Sequence, residues 1–305
     1  MTQNIHPTAI ISEGAKIGDG VTIEPYVIIH GNVVIEDNVT IKSHAYIDGR
    51  TTIGEGTVIW PGACIGTKTQ DKKFSGEKTF VRIGKHCDIR EFVTINSSCH
   101  EGSVVEIGDR TLIMACCHVA HNCRVGKGVI MANNALLAGH VEVEDFAVIG
   151  GMTPIHQYVR IGSYAMVGGF SRVTHDVPPY LIGASVPFKV GGLNIVGLKR
   201  HGFEYPVRRE LARAYKILYR SGLILEEALD KIERHVEPID EVLHFLDFCR
   251  STKRGIIGMQ GALRDEMEQQ ETEEELEELM QEAQEELMDV KTPVAEKRKL
   301  IRSGL

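Results

Sequence analysis

The chain has 305 residues, 43% hydrophobic and only 6% aromatic, enough apolar material for a sizeable core packed by small and branched aliphatic side chains. Its formal charge of −8 belongs to one end: residues 262–305 hold 14 acidic and 6 basic side chains, and the 28 of each sign in residues 1–261 cancel. No basic stripe outweighs the acids, which excludes nonspecific nucleic-acid binding, and no run nears the roughly 18 apolar residues of a membrane span.

Met1 to Ile11 carries no charged segment followed by an apolar run, and the cysteines number seven. Both features fit a soluble, cytoplasmic protein better than a disulfide framework.

From Ile5 onward, apolar residues recur every six positions. Of the 29 positions reached in steps of six from Ile5 to Val173, 26 are Ile, Val, Leu or Met, where composition alone would give about 12. The exceptions are Asp71, Glu77 and Glu101. A period of six is neither that of a helix nor that of a simple strand; it predicts a parallel β-helix in which each hexad is one short strand and one turn. Coils stack because none buries its apolar corner alone.

Four residues after each of these apolar positions stands a small or branched side chain, as at Ala9, Ala15 and Val21, and Gly, Asp and Asn crowd the turns between. Cys87, Cys99, Cys117 and Cys123 occupy the small place and are expected to be buried. With three hexads per coil, residues n and n+18 lie side by side, about 4.8 Å apart. His121, Gly139 and Gln157 then form one column, with His140 and His156 one position to either side.

Two interruptions keep the phase. Residues 67–80 are polar and Lys-rich and read as a loop ejected from the coil, of a length that is more often functional than decorative; a second, shorter one spans Cys99 to Glu106. The repeat ends at Asp176-Val177-Pro178-Pro179, and a Gly-rich link follows to Gly202. Helical spacing then appears in three stretches: Leu211 to Leu218, ended by Ser221-Gly222; Leu225 to Ile232; and Ile239 to Leu246, opened by Pro238. The expected organisation is a β-helix over residues 1–190, a helical domain over 191–261, and an acidic tail, helical or disordered, over 262–305.

Several motifs carry a family resemblance. They are Ile5-His6-Pro7-Thr8-Ala9-Ile10, the loop Gln70-Asp71-Lys72-Lys73 with Gly76-Glu77, His118-Val119-Ala120-His121-Asn122-Cys123, Leu137-Ala138-Gly139-His140-Val141, Ile149-Gly150-Gly151-Met152, Ile155-His156-Gln157, Met166-Val167-Gly168-Gly169, and Asn194 with Gly197-Leu198-Lys199-Arg200. In this order, over residues 1 to about 260, they make the chain similar to the UDP-N-acetylglucosamine O-acyltransferases of lipid A synthesis. That resemblance implies a left-handed β-helix and a homotrimer. It also implies a 3-hydroxyacyl donor on acyl carrier protein, UDP-N-acetylglucosamine as acceptor through its 3-hydroxyl, and no metal or organic cofactor.

By the same resemblance, His121 is the general base and the backbone N–H of Gly139 receives the charge that develops on the carbonyl oxygen. Asp71 and Lys73 meet substrate from the loop, His118 stands beside the base, His140 lies by the N-acetyl group, and His156 and Gln157 line the nucleotide-sugar cleft. Asn194 and Arg200 match positions near the uridine and phosphates, and Gly169 matches a position that limits acyl length. The chemistry agrees with these roles: a sugar hydroxyl needs a base to lose its proton near neutral pH, and imidazole is suited to that.

Four positions depart from the family pattern. Asn122 stands where an acidic residue is common, Pro187 where many members carry histidine, and Val196 and His201 replace a common Glu and Arg. Cys116, at an outward place near His121, raises a covalent acyl-cysteine route, although direct attack needs no nucleophile. Rival readings are a related enzyme acting on an amino-sugar nucleotide, a trimeric metal lyase of the carbonic anhydrase type, and a noncatalytic scaffold. An amide beside the base orients it but supplies no charge to stabilise imidazolium. Asn122→Asp is therefore expected to move the acidic limb of the pH–rate profile to higher pH, and an unchanged profile would count against Asn122 as the orienting group.

Overall fold

A computed structural model describes residues 4–259. Up to Val167 the strands are two to four residues long and wind into three parallel sheets of 9, 8 and 8 strands. Thr22 and Ile23 pair with Thr40 and Ile41, eighteen residues on, so one coil is three hexads, as the spacing predicts. In each strand the second residue points inward: Ile29, Ile47, Ile65 and Ile95 lie above one another on successive coils and are fully buried. Each such side chain contributes roughly 1.5–3 kcal/mol by leaving water. The four cysteines of the small inward place are buried as well.

In most turns one residue adopts a left-handed backbone, again chiefly at intervals of six. Gly128, Asn134 and His140 have φ of 63°, 60° and 62°. For residues with a Cβ this costs about 1–2 kcal/mol, less for Asn. The flanking parallel bonds hold the turns in that shape.

The interruptions behave as whole hexads. Val58 pairs with Asp88, thirty residues on; Thr94 pairs with His118, twenty-four on; Glu106 pairs with Arg124, eighteen on once more. The first interruption thus adds two hexads and the second adds one, and the apolar corner stays in phase across both.

Beyond the repeat, Leu181–Ala184 and Lys189–Leu193 form an antiparallel hairpin on the largest sheet. Four helices follow: α1, Ile195–Arg200; α2, Tyr205–Arg220; α3, Leu225–His235; and α4, Asp240–Arg250. The last three match the helical spacing of the sequence. The first was expected to be a Gly-rich link. It forms because the Asn194 side chain accepts from the Gly197 N–H at 3.1 Å and caps it. The helices enclose a second apolar cluster, which includes Leu198, Leu211, Ile232 and Phe245. The expected acidic tail, 262–305, lies outside the described residues.

Asp176 clasps the repeat to the segment after α4. Fully buried, its carboxylate accepts from the Arg160 N–H and the Thr252 hydroxyl, each at 2.8 Å, and its own N–H donates to the carbonyl of Gly255. Arg160 in turn lies over the Phe248 ring at 4.1 Å. Asp176→Ala strands two donors in the interior, so urea unfolding should show a loss of about 1–3 kcal/mol; an unshifted midpoint would contradict this role.

Candidate active site

The turn after strand His118–Val119 carries His121, and the turn one coil on carries Gly139. The His140 N–H donates to the His121 carbonyl at 3.0 Å, and the Tyr158 N–H to the Gly139 carbonyl at 3.2 Å. The column expected from the period is therefore built by ordinary parallel-coil bonding. The His121 imidazole lies against Gly139 so closely that a Cβ there would stand 2.4 Å from its Cε1. His140 meets His121 edge-on at 5.1 Å and stacks on Tyr158 at 4.5 Å. His121, His140 and Tyr158, with His118, Gln157 and the loop residues Asp71 and Lys73, line one cavity of about 580 Å³.

Asn122 and Cys99 set the tautomer of His121. The Cys99 N–H donates to Asn122 Oδ1 at 3.2 Å, which turns the amide oxygen inward, and the Cys99 Sγ reaches the same oxygen at 2.8 Å. His121 Nδ1 lies 3.0 Å from that oxygen. Facing an acceptor, Nδ1 carries the proton, and Nε2 is left with the lone pair a base needs.

The surroundings keep the neighbouring imidazoles neutral. Burial, and then the proximity of His121, lowers the pKa of both His118 and His140. His118 is further tied by a 2.7 Å bond between its Nδ1 and Thr94 Oγ1. Asp71 is held below the ordinary carboxylate range by the Lys73 N–H, donating at 2.8 Å. Burial, and then Asp71, pushes the Cys99 thiol up.

Elsewhere on the coils, the backbone N–H at the place equivalent to Gly139 often binds a carboxylate. Asp19, Lys85 and Lys127 donate there to Asp37, Asp109 and Asp145 on the adjoining coil, at 2.8, 2.8 and 2.9 Å. Beside Gly139 the corresponding residue is Gln157, and among the described residues nothing accepts the Gly139 N–H. A donor of the kind this fold directs at carboxylate oxygens thus belongs to the residue against which the His121 ring packs.

Six residues singled out in the sequence do not line this cavity: Gly139 and Asn122, which pack against the His121 ring, and four that lie elsewhere. His156 is half-buried, its Nδ1 3.2 Å from the carbonyl of Gln157. Asn194 caps α1 and donates to the Tyr164 carbonyl. Arg200 is exposed in the last turn of α1, and Gly169 packs toward the carbonyl of Gly151. Cys116 is exposed on its turn; the thiol that meets the His121 ring is that of Cys99, at 3.3 Å from Nδ1. Hexad phase sent Cys99 simply inward. The overlooked signal was the second interruption, which begins at Cys99 and whose single added hexad places that segment one coil before His121. Among the described residues, the donor atoms of Cys99, His121 and His140 lie within 4.8 Å of one another, close enough to hold a metal ion.

A family profile described as UDP N-acetylglucosamine O-acyltransferase, domain 2, matches residues 176–257, and bacterial transferase hexapeptide repeats match residues 14–49, 32–67 and 105–139. Acyl-[acyl-carrier-protein]--UDP-N-acetylglucosamine O-acyltransferases from Chlamydia muridarum and Thermodesulfovibrio yellowstonii are each 50% identical over 254 residues, 83% of this chain and 91% and 98% of theirs. The crystal structure of a UDP-N-acetylglucosamine acyltransferase from Bacteroides fragilis superposes with a TM-score of 0.81 at 41% identity, covering 83% of this chain and 99% of that one.

A methyl group at Gly139 would drive the His121 ring out of its place. Gly139→Ala should fold normally by circular dichroism yet turn over about 100-fold more slowly, the scale of a misplaced reacting group; turnover within twofold of the parent would contradict the geometry.

Proposed function

Given that this chain belongs to the acyl-[acyl-carrier-protein]--UDP-N-acetylglucosamine O-acyltransferase family, we propose roles for the residues of its cavity. The enzyme transfers an acyl group from acyl carrier protein to UDP-N-acetylglucosamine, the first step of lipid A biosynthesis. In our reading the acyl group is a 3-hydroxyacyl chain and the attacking group is the sugar 3-hydroxyl. His121 Nε2 takes the hydroxyl proton as the oxygen attacks the thioester carbonyl, and the Gly139 N–H stabilises the oxyanion. The carrier thiolate then leaves, and the imidazolium returns the proton to it.

The observation that carries this reading is the unclaimed Gly139 N–H beside an imidazole whose Nδ1 is bonded to Asn122. Asn122 orients the base. Asp71 and Lys73 hold the substrate from the loop, and His118, His140 and Gln157 shape the sugar pocket. His156, Asn194 and Arg200 bind the nucleotide, and Gly169 bounds the acyl groove. We propose that the enzyme works in the cytoplasm as a homotrimer, in which adjoining prisms bring these outlying residues to the cleft. A three-sided prism suits such symmetry, and no described helix is long and apolar enough to cross a membrane.

The test is a thioester-transfer assay with acyl carrier protein donors of graded length and two nucleotide sugars, UDP-N-acetylglucosamine and its 3-amino analogue. The N-acetylglucosamine nucleotide should be the better acceptor. His121→Ala should lose at least about 100-fold in kcat, within the usual contribution of a general base. A His121→Ala enzyme of parental activity would refute the assignment.

A further inference from the structure

We infer that Cys99, His121 and His140 form a binding site for a soft divalent metal ion, zinc foremost, and that filling it switches the acyl-transfer cavity off. One sulfur and two imidazole nitrogens are the donors zinc takes most readily, in three-ligand sites that leave a fourth position for water. In a tetrahedral site such donors stand roughly 3.3–3.6 Å apart. The Cys99 Sγ is already 3.3 Å from His121 Nδ1, and all three donors fall within 4.8 Å of one another. Small side-chain rotations close the remainder.

The three ligands sit on three separate backbone segments that the coil register holds together: the interruption at Cys99, the turn at His121 and the next turn at His140, whose N–H is bonded to the His121 carbonyl. The Asp71 carboxylate faces both Cys99 and His121 and adds a negative charge next to the ion. On binding, the Cys99 thiol loses its proton to solvent, and sulfur and nitrogen lone pairs form the metal bonds.

Ligation at either ring nitrogen disables His121 as a base. At Nε2 the metal occupies the lone pair itself. At Nδ1 it displaces the proton facing Asn122, and the neutral ring then carries its proton on Nε2. Metal binding stands on the donor geometry alone; only the loss of activity rests on the function proposed above.

The experiment is titration of the full-length, metal-free protein with Co(II), read in the near-ultraviolet, where a thiolate–cobalt bond gives a charge-transfer band. The parent should show the band at one equivalent, and zinc should displace it. Cys99→Ser should abolish it, His140→Ala should weaken binding at least tenfold, and Cys116→Ala, which removes an exposed thiol, should leave it intact. Zinc should inhibit the parent reversibly, with activity restored by a chelator. A parent without the band, or a band that survives Cys99→Ser, would overturn the site, as would zinc inhibition undiminished in His140→Ala.

Discussion

The structure depends on the eighteen-residue parallel register. Once three hexads close a coil, every residue has a fixed neighbour above and below, bonded through backbone groups that any side chain can share. The apolar corner supplies the stability and repeats with little change, so the turns are free to vary. His121, Gly139 and Gln157 are three successive versions of one turn position, brought together by bonds that Ile29 or Ile130 also make.

On that background the site joins an unclaimed N–H to a ring packed against a glycine. Where Asp37, Asp109 and Asp145 quench a turn N–H, Gln157 leaves the Gly139 N–H unclaimed. Gly139 has no side chain, and the His121 ring fills the space. Asn122 serves twice: it tolerates the left-handed backbone at φ 58° and offers the oxygen that orients His121. An aspartate could do both as well, but Asn122 leaves the imidazole without a charged partner, so the thiol and N–H of Cys99 complete the polar cage.

How much of this the sequence disclosed follows from the same register. The period of six made the three-sided coil, the buried isoleucines and the His121–Gly139 column legible, because each depends only on counting. The helices α2 to α4 were legible from apolar spacing. The helix α1 was not, because its glycine and short length hide a helix that one Asn194 side chain initiates. The approach of buried Cys99 to His121 was not legible for a different reason: phase says which way a side chain points but not what an added hexad brings beside it. His156, Asn194, Arg200 and Gly169 were named from resemblance, and none of them borders the cavity of the single chain.

The central claim is that the coil register sets an unclaimed N–H and a proton-accepting nitrogen on opposite sides of one reacting carbonyl. The most direct test is a crystal structure of the protein with UDP-N-acetylglucosamine and a nonhydrolysable thioester analogue bound together. The analogue's carbonyl oxygen should lie about 3 Å from the Gly139 nitrogen, with a sugar hydroxyl at similar distance from His121 Nε2. A carbonyl turned away from Gly139, or a hydroxyl held by another group, would contradict the account.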